Sequence, residues 1–232
     1  MPKALFVVSA ADGWTLKDGT VHPTGYWAEE LSEPHRIFSE AGWDITIATP
    51  SGVKPTVDQV SLSAAGGLPN KRKKVEQYLQ SIDEQLSHPE KMEEVNPDDY
   101  DLVFYPGGHG PMEDLAYNET SGKILSERLA NGRPLALLCH APAAILAAKN
   151  ADGTNAFAGR RMTGFSNNEE KLNKFAKNAK WYLEDAMKDA GVDYHKALLP
   201  FASHVEVDGS LYTGQNPKSA EDLAKRILED VK

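Results

Sequence analysis

The stretch Arg133-Pro-Leu-Ala-Leu-Leu-Cys-His-Ala-Pro-Ala-Ala-Ile-Leu-Ala-Ala148 holds the single cysteine of the chain, Cys139, with His140 directly behind it. Pro134 to Leu138 is a short, unbroken apolar run, the pattern of a strand covered on both faces. From Ala141 the residues are Ala-rich helix formers, and Pro142 is tolerated because a first helical turn has spare N–H groups. A strand that runs straight into a helix is the repeating joint of an α/β sheet. A thiol at that joint sits on a sharp bend near unpaired amides and the positive end of a helix dipole. Both favour the thiolate, the reactive form of cysteine.

The same alternation extends in both directions. Lys3 to Ser9 reads as the first strand, and Trp27, Leu31, Pro34, Ile37 and Phe38 recur at helical spacing up to Gly42. Asp44 to Ala48 is a β-branched second strand ended by Pro50 and Gly52, and Asp101 to Tyr105 is another, closed by Pro106-Gly107-Gly108. Ile124 to Leu129 reads as helix, Met162 to Phe165 as a short strand, and about Asn168 to Gly191 as one long helix. Val205 to Thr213 reads as a hairpin turning at Asp208-Gly209, before an amphipathic helix from Pro217 to about Val231. Between the second strand and Asp101 lie about fifty residues, including the charged, helix-forming stretch Asn70 to Lys91. That length implies a functional insertion over about 52–98, a lid or cap, although the charge run by itself is a solvated helix face. The expected fold is a single α/β domain over 1–232. It has an open, mostly parallel sheet sandwiched by helices (flavodoxin-like), with a small cap-like insertion and a C-terminal hairpin.

With 232 residues and 41% hydrophobic residues, the chain can bury a substantial core. A net charge of -9 argues against nucleic acid or an anionic membrane as a main partner. One cysteine excludes an internal disulfide and suits a reducing cytoplasm. Met1-Pro-Lys leads directly into a strand-like run with no secretory pattern, and the longest apolar stretch, Leu135 to Ala148, is too short to span a bilayer. A soluble, cytoplasmic protein is expected.

Open α/β sheets collect ligands at strand ends, and three features fall there. One is the Cys139-His140 elbow. Another is Pro106-Gly107-Gly108-His109-Gly110-Pro111, whose glycines let backbone N–H groups converge on an oxyanion; it is neither a P-loop nor a dinucleotide fingerprint. The third is Thr24-Gly-Tyr-Trp-Ala-Glu-Glu30, with two carboxylates at a helix start. Each has an ordinary explanation. Most lone cysteines are inert, Gly-Gly after a strand is usually a turn, and acidic residues complement a helix dipole. His109 flanks the glycine turn and is a possible pocket residue, although turn histidines are commonly solvated. The histidines and carboxylates show no zinc spacing, so no metal and no cofactor are assigned.

Together these segments resemble the ThiJ/PfpI superfamily, also described as class I glutamine-amidotransferase-like proteins. Within it they are similar to the branch of glyoxalase III-like enzymes and heat-shock chaperones. The resemblance spans nearly the whole chain: Pro23-Thr-Gly-Tyr-Trp-Ala-Glu-Glu30, Tyr105-Pro-Gly-Gly-His-Gly110, Ala136-Leu-Leu-Cys-His-Ala-Pro142, Met162-Thr-Gly-Phe-Ser-Asn-Asn-Glu-Glu170 and Leu211-Tyr-Thr-Gly-Gln-Asn-Pro217. It implies Cys139 as nucleophile and His140 as its histidine partner. Glu30 is then the acidic residue that hydrogen-bonds the nucleophile, and Glu170, or its neighbour Glu169, the carboxylate that orients the histidine. Backbone N–H groups of Gly108 and His140 would form the oxyanion hole. Ala141 replaces the glycine of amidotransferase elbows. His204-Val205-Glu206 offers the spacing by which amidotransferases complete their triad, but motif context places the histidine at His140.

The activity implied is a cofactor-free, glutathione-independent glyoxalase converting methylglyoxal and water to lactate, with a small aldehyde as partner. Alternatives are a holdase chaperone using the insertion, or a cysteine-dependent deglycase, peptidase or amide hydrolase. A homodimer is expected from the resemblance alone.

Overall fold

The fold is described from a computed structural model covering residues 1–173 and 175–231. The chain opens with β1 (Lys3–Val7), forms a small ribbon of β2 (Gly13–Thr15) and β3 (Val21–Pro23), and enters α1 (Ala28–Glu40) before returning as β4 (Asp44–Thr49). The 52–98 segment carries α2 (Pro69–Ser81), α3 (Asp83–Ser87) and β5 (Glu90–Lys91). Next come β6 (Leu102–Tyr105), α4 (Gly110–Glu113), α5 (Glu119–Ala130) and β7 (Leu135–Leu138). The remainder is β8 (Arg161–Met162), α6 (Asn167–Glu170), α7 (Leu183–Asp189), β9 (Asp193–Tyr194), the hairpin β10 (Val205–Asp208) and β11 (Leu211–Gly214), and α8 (Ala220–Asp230).

A seven-stranded sheet in the order β10-β11-β7-β6-β1-β4-β5 organises these elements, parallel throughout except for the antiparallel β10. The central strands are covered on both faces, which is why Ala4 to Val7, Leu102 to Tyr105 and Leu135 to Leu138 are continuously apolar and buried. From β1 the chain moves to β4 on one side and later to β6 on the other. The strand order therefore reverses beside β1, and a crevice opens beyond the carboxyl ends of β1, β6 and β7. Cys139 and Gly107 lie one and two residues past the ends of β7 and β6. Sheet topology alone brings these two motifs together. No helix among the described residues is long and apolar enough to cross a membrane.

Several expected elements take another form. The long helix over 168–191 is instead α6, a 3-10 turn at Phe175–Asn178, and α7. Two side chains break it. Glu184 Oε2 on α7 accepts the Asn167 N–H at 2.8 Å, folding α7 back on the start of α6, and the Phe175 ring stacks on His22 at 4.0 Å. Ala141–Ala147 winds as a 3-10 helix rather than an α-helix. It packs so closely on α5 that a Cβ at Gly122 would lie 2.2 Å from the Ala147 carbonyl oxygen. The strand expected at Met162–Phe165 is reduced to Arg161–Met162, paired with β9 outside the main sheet. The β10–β11 loop is Gly209-Ser210, one residue later than expected, with Gly209 at φ +63°.

The 52–98 insertion packs α2 along α1, where His35 bridges to Tyr78 at 2.9 Å and Gln85 at 3.0 Å. Its return to the sheet is held by two arginines, Arg133 on the carbonyls of Asp98 and Tyr100 at 3.2 and 2.9 Å, and Arg128 more extensively. The buried Arg128 guanidinium donates to the carbonyls of Pro97, Tyr100, Asp101 and Pro134 at 2.7–3.1 Å.

Candidate active site

Cys139 is the residue around which the site is built. Its φ is +61°, a left-handed conformation costing a non-glycine residue roughly 1–2 kcal/mol. The bend is held from both sides: the Cys139 N–H donates to Gly214 O at 2.8 Å, and its carbonyl accepts the Phe165 N–H at 2.9 Å. Strain over-determined in this way is typical of functional backbone. The turn also requires glycine at 107, where a Cβ would fall 2.5 Å from Leu138 O, 2.6 Å from Glu30 Oε2 and 2.9 Å from Cys139 Cβ. At Gly108, φ +100° excludes most side chains.

Two side chains, His140 and Glu30, meet the sulfur, and Glu170 stands behind His140. His140 Nδ1 lies 3.3 Å from Sγ, and its Nε2 donates to Glu170 Oε2 at 2.5 Å. Glu30, third residue of α1 and fully buried, accepts the Gly107 N–H at 2.9 Å through Oε2. Its Oε1 has no hydrogen-bond partner among the described residues, and the carboxyl is coupled to the Cys139 thiol beside it. Glu170 Oε1 accepts from His109 Nε2 at 2.9 Å.

The electrostatics follow from this packing. Burial, partly opposed by the Cys139 and Gly107 hydrogen bonds, pushes the Glu30 carboxyl up to about 8. Burial, then the Glu30 charge, raises the Cys139 thiol as well. The two groups share one site, so a proton on Glu30 removes the charge that opposes the thiolate and can be donated to it. Burial also pushes Glu170 upward, but electrostatic attraction to His140 and His109, together with the N–H bonds both rings donate, outweighs it and holds this carboxyl well below the usual range. Burial, then His109, lowers the His140 imidazole against the pull of Glu170. The result is an ionised orienting carboxylate, a neutral imidazole and a protonated acid around one sulfur, the composition of a nucleophile with its own base and acid.

The sequence profile of the DJ-1/PfpI family matches residues 22–230, a span that includes every one of these groups. The chain belongs to the DJ-1/PfpI family. It is 31% identical to the probable glutathione-independent glyoxalase hsp3103 of Schizosaccharomyces pombe, over 91% of each chain. It is 28% identical to the glutathione-independent glyoxalase HSP31 of Saccharomyces cerevisiae, over 99% of this chain and 98% of that one. Among solved structures, the rapid encystment protein of Francisella tularensis superposes over 100% of both chains with a TM-score of 0.85 and 29% identity.

In this DJ-1/PfpI chain the two candidate acids have separate places. Glu170 reaches His140. Glu169 turns away and accepts from Ser166 N and Oγ, Phe201 N, Gln215 Nε2 and Asn216 Nδ2 at 2.6–2.9 Å, gathering the segments that form the far side of the pocket. His204 lies outside the cluster, its Nε2 2.9 Å from Glu206 on β10. His109 is buried rather than solvated, stacked on Trp14 at 4.5 Å. His109, His140 and Glu170 place two imidazoles and a carboxylate within 4.8 Å, but each Nε2 is committed to a Glu170 oxygen, and hydrogen bonding accounts for the cluster. Cys139, His140, Gly108 and His109 line a cavity of about 460 Å³. Its other walls come from Val60 to Lys71 of the insertion and from the aromatic rings of Trp27, Phe165, Phe175 and Phe201. Trp27 and Phe165 lie inside motifs named above but carry no pocket role there, whereas Phe175 and Phe201 have no local sequence signal; the positive φ of 58° at Phe201 is a property of the fold.

Proposed function

We propose that this protein is a glutathione-independent glyoxalase that isomerises and hydrates methylglyoxal to lactate through Cys139. The observation that supports it most is the bent thiol on the cavity floor, in contact with a neutral imidazole and with a carboxyl that keeps its proton up to about 8.

His140 Nδ1 takes the thiol proton as sulfur attacks the aldehyde carbon, and returns it to the resulting alkoxide, giving a hemithioacetal. The backbone N–H groups of Gly108 and His140 hold the oxyanion while it is charged. Neutral again, His140 removes the hydrogen of the former aldehyde carbon as a proton, and the electron pair moves toward the ketone oxygen to form an enediolate. Delivery of that proton to the neighbouring carbon, while the hydroxyl proton of the former aldehyde carbon passes to the former ketone oxygen, gives the 2-hydroxy thioester. Water gives one proton to His140 as its oxygen attacks the thioester carbonyl, the C–S bond breaks with Glu30 protonating the departing sulfur, and the proton held on His140 then restores Glu30. One carbon is oxidised and its neighbour reduced within the same molecule, so the sequence balances with water as the sole co-reactant. Glu170 keeps Nε2 protonated and Nδ1 free for the sulfur. A thiol that must stay reduced for this chemistry suits the cytoplasm.

The decisive assay is lactate formation from methylglyoxal without glutathione. Cys139→Ala should lower turnover by about a thousandfold or more, with the unfolding midpoint little changed. Undiminished lactate formation by that variant would exclude this mechanism.

A further inference from the structure

Among the described residues, Glu170 is the sole carboxylate hydrogen-bonded to His140, but His140 does not have it alone. One oxygen accepts from His140 Nε2 at 2.5 Å and the other from His109 Nε2 at 2.9 Å, with all three side chains buried. The two imidazole rings lie 4.1 Å apart, and the outer one is fixed by Trp14 stacked at 4.5 Å and Phe175 edge-on at 5.6 Å. Asn173 Nδ2 adds a weaker contact to the same Glu170 oxygen at 3.3 Å. A second, rigidly held imidazole on the orienting acid exceeds what positioning one histidine requires.

We infer that His109 is a positioning residue acting through Glu170, dividing that carboxylate between two imidazoles and so limiting how far it stabilises an imidazolium at His140. A carboxylate devoted to one histidine favours the charged ring, whereas one already satisfied by a second N–H attracts it less. The division keeps His140 available as a base for the thiol and the substrate C–H proton. It also fixes the Glu170 plane, because both oxygens are tethered. The groups facing His140 are Glu170 and Glu169 from α6, His109 ahead of α4, Cys139 and, through the sulfur, Glu30 from α1; His22 of β3 faces His109. Among these, His109 alone shares the carboxylate with His140.

This assignment rests on the glyoxalase reading, and two substitutions test it. His109→Gln retains an N–H donor near the Nε2 position, whereas His109→Phe retains the ring stacked on Trp14 but no donor. His109→Phe should lower kcat about tenfold with KM for methylglyoxal within about twofold. The acid limb of the kcat/KM profile should move to higher pH by on the order of half to one unit, because His140 then holds Glu170 alone. His109→Gln should restore kcat to within about threefold and leave that limb near the wild-type position. NMR titration of the His140 ring in the same variants reads the ionisation without turnover. A shifted titration in a protein that makes no lactate would overturn the glyoxalase reading and leave this one standing. An unshifted His140 titration in His109→Phe, or rescue by Phe and not by Gln, would overturn the role of His109.

Discussion

On the sheet side of the pocket, Cys139 and Gly107 are fixed by main-chain hydrogen bonds and by neighbours too close to admit a Cβ. On the opposite side, Ser166, Phe201, Gln215 and Asn216 meet at the single carboxylate of Glu169. The sheet wall draws its order from strands that are buried for reasons unrelated to catalysis. The opposite wall has little regular structure and depends on one buried anion that satisfies five donors. The nucleophile is therefore placed by the main chain, whereas the pocket facing it depends on a single side chain.

Removing that anion should have the largest effect on stability. Glu169→Leu leaves buried N–H groups without an acceptor, at about 1–3 kcal/mol each before relaxation. For a chain of this size the unfolding midpoint should fall by about 10 °C or more, and methylglyoxal turnover should fall with it. A drop of less than about 2 °C in differential scanning calorimetry would show that this wall does not depend on Glu169.

On the sheet wall, Glu30 carries the clearest pH dependence for stability. Its carboxyl holds a proton up to about 8 in the folded protein against an ordinary value of 4.5, because of burial first. The folded state therefore binds more protons between those values. The stabilising contribution is complete below the ordinary carboxylate pKa and is lost as pH rises through about 8. Glu30→Gln cannot ionise, so its stability relative to wild type should improve from pH 5 to pH 9 by on the order of a few kcal/mol. Urea unfolding at pH 5, 7 and 9 reads the difference, and a constant offset across the series would contradict this account.

The smallest effect is expected at the rim. Lys71 of the insertion pairs with Glu29 of α1 at a half-exposed position. Lys71→Ala should change unfolding free energy by less than about 1 kcal/mol, the range of surface ion pairs. A larger loss in the same urea titration would mean that the ion pair, rather than the packing of α2 on α1, fastens the insertion.

The sequence exposes the sheet wall well and the opposite wall poorly, for the same physical reason. Continuous apolar runs such as Leu135 to Leu138 and turn glycines such as Gly107 are local signals, so the strands and the elbow at Cys139 are readable in order, whereas the parts of His140 and Glu30 come from the family resemblance. The choice between Glu169 and Glu170 is not local. Both sit in one helical turn after Ser166, and only packing decides that Glu170 meets His140 while Glu169 meets Phe201 and Asn216. The run from Asn168 to Gly191 has helical composition, yet contacts from Glu184 and Phe175 break it, and neither partner is near in sequence. His109 was ambiguous because a histidine after Gly-Gly looks solvated until Trp14 covers it.

Arg128 and Arg133 together clasp the carbonyls of Pro97, Asp98, Tyr100, Asp101 and Pro134 where the 52–98 segment rejoins the sheet. The entry into β6 is therefore anchored by α5 and the turn after it rather than by the pocket rim. For protein engineering, rim residues such as Val60 and Ala65 can be varied to change which molecules fit, with the strand that leads to Gly107 left in place.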